Sequence, residues 1–171
     1  MLGEPWTGKH SFCKRLQLGT FSEDKVGAPG NELFTIPLSK IWEGIAEGET
    51  GNLTIDKVGV PALVGVSNAD FVPSRARVDA IVVLVSVCDY VSMTALEKWK
   101  LFAERTCKGR VWRGTVYFVL STFCDKPSEE RLMMPGEVER AAKERGFRHA
   151  DISNKTGAGV RATIMSILHS I

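Results

Sequence analysis

The sequence predicts an α/β domain built on a mostly parallel sheet, and three observations carry that prediction. From residue 79 onward, short apolar runs alternate with amphipathic stretches of helical period, the order of parallel strands joined by crossover helices. Residues 79–87 form a continuous β-branched run, the composition of a strand buried on both faces. Near the start, Gly3-Glu4-Pro5-Trp6-Thr7-Gly8-Lys9-His10-Ser11 satisfies Gly-x-x-x-x-Gly-Lys, a loop that opens a helix and turns its backbone N–H groups toward phosphate. The 171 residues fit a single domain, 1–171, with one substantial core.

Composition narrows the function classes. With 44% hydrophobic and 25% charged residues and a net charge of +2, the chain reads as an ordinary globular protein with too little charge to argue for nucleic acid or a membrane surface. Cys13, Cys88, Cys107 and Cys124 are scattered, with no C-x-x-C pair and no secretory segment, which points to reduced thiols in the cytoplasm and away from zinc. The longest apolar run, 80–87, has the length of a strand and is far too short to span a bilayer.

Taken in order, the chain opens with a helix over 10–18, with Phe12, Leu16 and Cys13 on its inner face and Gly19 as a left-handed cap. Only Met1 and Leu2 precede the glycine-rich loop, so the buried strand that normally leads into such a loop is expected to be missing. Residues 19–31, rich in glycine, have no period and read as a mobile loop. Two strands, 33–46 and 53–66, are expected to form a hairpin through Glu47-Gly48-Glu49-Thr50-Gly51, with Pro37 and Pro61 favouring edges or bulges. After the strand at 79–87, a helix runs from Ser92 or Thr94 to Cys107 on the stripe Leu96, Trp99, Phe102 and Ala103. A second buried strand covers 115–121, a helix 138–145 is closed by Gly146, and a third strand covers 147–152. Val160, Ile164, Ile167, Leu168 and Ile171 recur at helical spacing and predict a terminal helix on the sheet.

The phosphate-type loop is altered. An intact one carries Ser or Thr after the lysine, whose hydroxyl holds Mg²⁺; here that position is His10, a poor partner for a hard ion that prefers oxygen, and Ser11 is one position out of register. His10 has the more ordinary expectation of a first-turn residue facing solvent. Pro5 and Trp6 stand where small residues are usual, removing one N–H and crowding the approach.

In this order of elements the chain resembles a Ras-superfamily small GTPase of the Rab-like branch. The resemblance is clearest in Ile81-Val82-Val83-Leu84-Val85-Ser86-Val87-Cys88-Asp89, followed by Ser92, Leu96 and Glu97-Lys98-Trp99, which is similar to the Rab run of strand, short loop and Trp-bearing helix. Ser153-Asn154-Lys155-Thr156-Gly157-Ala158-Gly159-Val160 is similar to the Ser-Ala-Lys-Thr-Gly-x-Gly-Val that closes a guanine pocket. From Gly19 to Val78 the similarity lies in element order alone. The resemblance implies a P-loop, small-GTPase-like three-layer domain. Lys9 would neutralise the β-phosphate, the amides of Trp6, Thr7, Gly8, Lys9, His10 and Ser11 would line the cradle, Gly3 would belong to the same nucleotide site, and Asp125 would read the base. Ser153, Asn154 and Lys155 would close the pocket, with the Asn154 N–H on the base oxygen.

Several marker residues depart from the family. The guanine-reading Asn-Lys-x-Asp falls on Thr122-Phe123-Cys124-Asp125, where only the carboxylate survives; Asp125 reads either as the acceptor for guanine's ring N–H and amine or as a loop carboxylate capping a turn. Thr122 is expected to be too short to copy the asparagine bridge between loops, and Phe123 either stacks on the ligand or simply packs. The metal-supporting Asp-x-x-Gly is placed at Ser67-Asn68-Ala69-Asp70, where both marker residues are gone, and Phe71 follows in place of the water-positioning Gln. Thr35 reads as a strand residue before it reads as a metal ligand.

The sequence reading is therefore a divergent Rab-like domain with weakened GTP or GDP binding, no Mg²⁺, no assigned catalytic residue and little or no hydrolysis. It would act as an adaptor to protein partners, an effector or transport-complex subunit, in the cytoplasm, with cilium or flagellum the setting suggested by divergent relatives. Ending at Ile171 with no Cys after Cys124, the chain as given is expected to carry no prenyl anchor. The rivals are a functional GTPase with unusual metal ligands and an interaction domain that binds no nucleotide. Trp42 is the expected partner anchor, against the alternative of a core tryptophan.

Overall fold

The computed structural model describes residues 1–23, 31–41, 51–58, 77–107 and 111–171. Its elements, in order, are α1 (Lys9–Leu18), β1 (Glu32–Pro37), β2 (Asn52–Lys57), β3 (Val78–Ser86), α2 (Tyr90–Thr94), α3 (Leu96–Thr106), β4 (Val111–Thr122), α4 (Glu137–Glu144), β5 (Arg148–Asp151) and α5 (Val160–Leu168).

The fold is mixed α/β around a parallel sheet in the order β3-β4-β5, with β1 and β2 forming an antiparallel hairpin. The apolar run of β3 has the composition it does because both of its faces are covered. Ile81, Val83 and Val85 pack with Leu96, Trp99, Ala103, Val138 and Ala142 of α3 and α4. The alternate residue Leu84 joins Phe118 and Leu120 of β4 against Phe12 and Cys13 of α1 and Val160, Ile164 and Ile167 of α5. Period-two alternation along the strands thus sorts helices into two layers with the sheet between them.

No strand precedes the glycine-rich loop among the described residues, as expected; an isolated bridge at the first two residues stands in its place. Leu2 pairs in parallel with Val83, its N–H donating to the Val82 carbonyl at 2.8 Å and its own carbonyl accepting from Leu84 at 2.9 Å. On the other side the Met1 ammonium donates to the Asp56 carbonyl at 2.6 Å, and Val58 N–H donates to the Met1 carbonyl at 2.9 Å. Met1 thus bonds the hairpin and Leu2 the parallel sheet, two hydrogen bonds each.

Other boundaries shift for local reasons. The strand expected over 33–46 ends at Pro37, which cannot donate to a ladder, and Leu38–Lys40 form a 3-10 turn whose Leu38 N–H bonds the Gly51 carbonyl at 2.9 Å. The strand expected over 53–66 ends at Lys57; 59–66, like Trp42, Pro61 and residues 67–71, lies outside the described residues, as do 24–30 of the expected loop. The helix expected from 92 or 94 to 107 begins earlier, at Tyr90, where Asp89 Oδ1 accepts from Val91 N–H at 3.0 Å, and is divided at Ala95 into α2 and α3. β4 is longer than 115–121, α5 ends at Leu168, and α4 and β5 stay within about a residue of expectation. Among the described residues no helix is long and apolar enough to cross a membrane.

Candidate functional site

The loop of residues 3–8 leaves the sheet at Leu2 and delivers the chain into α1. Two glycines make that path possible. Gly3 has φ 137°, and a Cβ there would stand 3.0 Å from Thr7 Oγ1 and in collision with the Leu84 carbonyl; Gly8, the N-cap of α1 with φ 86°, would meet Asn154 Nδ2 at 2.8 Å. Trp6 also has a positive φ, 62°, which puts its side chain outside the loop, 76% exposed. No side chain among the described residues caps the N-terminus of α1.

Lys9 folds back under the loop. Its ammonium donates to the carbonyls of Gly3 at 2.7 Å and Glu4 at 2.6 Å, with Thr7 Oγ1 at 3.5 Å, and the residue is only 8% exposed. Burial lowers its pKa to about 8, opposed by the Glu4 charge and reinforced by Lys57. The Glu4 carboxylate turns the other way: Oε1 accepts from Trp99 Nε1 at 3.0 Å and Lys98 Nζ at 3.1 Å, tying the loop to α3. Thr7 is fully buried and its hydroxyl donates to the Glu4 carbonyl at 2.8 Å.

Thr122 corrects the expectation that a threonine cannot bridge the loops. Its Oγ1 donates to the Thr7 carbonyl at 2.9 Å and lies 3.2 Å from the Val85 carbonyl. As the last residue of β4 it sits directly beside β3, paired with Ser86, so a short side chain reaches. Asn154 adds a second bridge through its side chain, Nδ2 donating to the Gly8 carbonyl at 3.1 Å, while its Oδ1 is buried without a partner among the described residues.

The remaining expected site residues divide. Asp125 Oδ1 accepts from Ser153 Oγ at 2.6 Å, and Ser153 Oγ in turn accepts from the Thr156 N–H at 3.1 Å, so these two belong to one bonded corner. Lys155 lies at the surface, paired with Glu23 at 2.8 Å, and takes no part in that corner. Phe123 has φ 64° and, with Pro5, Trp6, Cys88, Asp89 and Lys126, lines an open cleft of about 470 Å³ beside the loop. Ser11 is half-buried in the first turn of α1. Thr35 is on the exposed face of β1, opposite Thr54 and away from the loop, as an ordinary strand residue would be.

His10 does not simply face solvent. Its Nδ1 is 3.1 Å from Glu32 Oε2, the same oxygen that accepts from Lys57 Nζ at 2.9 Å, and its ring meets Phe34 edge-on at 5.9 Å. Glu32 and Lys57 are register partners in the hairpin, on the inward face shared with Phe34 and Ile36, which carries the pair under α1. Desolvation pulls the Glu32 pKa up, but the hydrogen bonds from Lys57 and His10 hold it below its ordinary value. Arg131, also missed, supports the other wall by donating to the carbonyls of Lys126 and Cys124, each at 2.7 Å. Neither Glu32, Lys57 nor Arg131 lies within a motif; the signal for Glu32 and Lys57 was the cross-strand register, and Arg131, outside any strand, had none.

A separate polar cluster lacks the geometry of a catalytic relay. Ser121 Oγ and Asp151 Oδ1 both lie against His149 Nε2, at 2.7 and 3.4 Å, so one ring nitrogen serves both neighbours and no relay can form; Ser121 is buried as well.

Compared with known proteins, the chain matches no family model, and no curated protein matches it in sequence.

Proposed function

We propose that the chain is a divergent, Rab-like small-GTPase domain whose loop binds the phosphates of GDP or GTP with modest affinity and hydrolyses GTP slowly or not at all. In this reading it serves as a binding module for a protein partner in a cytoplasmic or ciliary transport assembly. The observation that carries the proposal is the joining of two loops at one edge of the sheet. The loop that holds Lys9, a buried ammonium bonded among the described residues to neutral oxygens, is tied by Thr122 at Thr7 and by Asn154 at Gly8 to the segments that carry Asp125 and Ser153.

Phosphate suits the residues present: a cation, an uncapped helix N-terminus and two glycines with no room for a Cβ. Guanine suits Asp125, whose carboxylate is oriented by Ser153 and can accept from the ring N–H and exocyclic amine. Magnesium does not suit them. His10 replaces the hydroxyl, Thr35 faces away, and the Glu32 carboxylate is already bonded to an ammonium; among the described residues no three His, Cys, Asp or Glu side chains form a metal group. The partner role draws on the resemblance and on Trp6, Val91, Leu132 and Met134, all exposed.

One observation favours a second reading, an interaction domain without nucleotide: the Lys9 ammonium is already bonded to the Gly3 and Glu4 carbonyls. Thermal melts and calorimetry with GDP, GTP and ATP, each with and without Mg²⁺, separate the two. GDP and GTP should raise the melting temperature and ATP should not. Lys9→Ala should abolish binding, and Asp125→Ala should erase the preference for guanine over adenine. No shift with any nucleotide selects the interaction domain, whereas tight, strictly Mg²⁺-dependent GTP binding or multiple turnover restores the ordinary switch.

A further inference from the structure

Two bulky side chains sit on backbone that bulky residues avoid. Among the described residues, Trp6 and Phe123 are the non-glycine positions with positive φ, at 62° and 64°. A Cβ is disfavoured in that conformation, whereas glycine adopts it freely. Both residues line the same open cleft of about 470 Å³, Trp6 from the glycine-rich loop and Phe123 from the position after β4. Strain retained at two positions that converge on one cleft is the mark of a ligand clamp, and Trp6, 76% exposed, gives the core little in return. Lys9, Asp125, Ser153 and Asn154 are not among the lining residues, so the cleft adjoins the phosphate loop without being the nucleotide site. Its walls carry two carboxylates, Asp89 and Glu130, and one ammonium, Lys126. Lys126 is spent on Glu130, its Nζ donating to Oε2 at 2.7 Å. Asp89 Oδ1 accepts from the Val91 N–H, and among the described residues no cation pairs with this carboxylate. With Asp125 and Arg131 included, whose charges also reach the Cys88 thiol in the cleft, three carboxylates meet two cations and the excess is negative. The rim is apolar: exposed Tyr90 and Val91 follow Asp89, and exposed Leu132 is anchored by its N–H on the Val87 carbonyl at 2.9 Å.

We infer that the cleft lined by Trp6 and Phe123 receives an arginine side chain of a protein partner, the guanidinium stacking on an aromatic ring and pairing with Asp89 while the apolar rim takes the residues on either side. The inference rests on the binding-module half of the reading above and needs no nucleotide. Arginine fits the chemistry of the walls: its cation is planar, weakly hydrated, able to lie on an aromatic face and to meet a carboxylate with two donors at once. An acidic or phosphorylated segment would be repelled by the excess negative charge, and a neutral ring would leave Asp89 without a counter-charge. Tryptophan and arginine are also the side chains on which interface energy concentrates.

The test is an NMR titration of the ¹⁵N-labelled protein at low salt with the peptide acetyl-Leu-Arg-Leu-amide, and with the same peptide carrying citrulline, the neutral isostere of arginine. The arginine peptide should shift the Trp6 indole N–H and the amides of Asp89 and Phe123 with a Kd on the order of 1 mM, and the citrulline peptide should bind about tenfold more weakly or worse. Asp89→Asn keeps a side-chain cap on α2 and removes the charge, so it should weaken the arginine peptide about tenfold. Trp6→Gly, followed at the Asp89 amide, should lose binding while its melting temperature holds or rises, because glycine accepts the positive φ. Equal binding of the two peptides overturns the inference, since the cleft would then be selecting apolar surface alone. A lower melting temperature for Trp6→Gly overturns it as well, because the indole would be holding the fold. Absence of shifts, or shifts confined to another face, does the same and leaves the nucleotide reading to the GDP melts. Binding of the arginine peptide by a protein that GDP does not stabilise sinks the nucleotide reading and keeps this one.

Discussion

Thr122 Oγ1 donates to the carbonyl of Thr7 across 2.9 Å, joining the end of β4 to the middle of the glycine-rich loop. Both residues are fully buried, so the carbonyl has no water to replace a lost donor. Thr122→Val keeps the shape and removes the hydroxyl. It should cost about 1–3 kcal/mol in urea unfolding, while Thr122→Ser should lose much less. Equal stability for the Val variant would show that the bond contributes nothing.

Glu4 is bonded at both ends, its carbonyl to Lys9 and its carboxylate to Trp99 and Lys98. Glu4→Gln keeps an oxygen for the Trp99 indole and should change stability little, since the Lys98 pair is half-exposed. Glu4→Ala leaves the indole N–H of a buried tryptophan unpaired and should cost roughly 1–3 kcal/mol. Denaturation followed by tryptophan fluorescence reads both variants.

The depressed pKa of Lys9 makes stability depend on alkaline pH. Below about 8 the lysine is charged in both the folded and unfolded chain; between about 8 and 10.5 the unfolded chain keeps a proton that the folded one releases. Raising pH through that window therefore favours folding, by at most roughly 3 kcal/mol at its upper end. Relative to Lys9→Met, wild type should gain stability from pH 8 to pH 10. In the same window phosphate should bind less well, because the ligand needs the charged form.

Cys13 is wholly buried in α1 and its thiol is pushed up to about 12 by desolvation, while Cys124 is pushed up to about 11 by the same cause. The thiolate is the reactive species, so neither should be alkylated by iodoacetamide near pH 8 in the native protein. Labelling of Cys13 should appear only as the fold opens, at a rate that follows denaturant.

How much of this could be read from the chain depended on where the deciding forces lay. β3 was legible because burial on both faces demands a continuous apolar run, and α5 because one buried stripe imposes its period on Val160, Ile164 and Ile167. The hairpin was legible only as a hairpin. Its strands end where Pro37 and the Leu38–Gly51 bond close the pairing, which apolar content alone overshoots. In the site, Lys9 and the Asp125–Ser153 pair sit inside recognisable patterns, whereas Glu32 and Lys57 reach His10 solely through cross-strand register. Thr122 was misjudged from the length of its side chain, because reach depends on the backbone separation at the end of β4, and that is a tertiary quantity.

The two-residue link at Met1 and Leu2 has a mechanical consequence. Four backbone hydrogen bonds hold the hairpin to the parallel sheet there, and the next residue, Gly3, supplies a carbonyl that grips the Lys9 ammonium. The link is thus a clasp shared by both halves of the architecture and by the loop. Springing it would separate the hairpin along that seam and let go of Lys9 in the same motion. Deuterium uptake at the amides of Leu2, Val58 and Leu84 should therefore rise together, as a single latch.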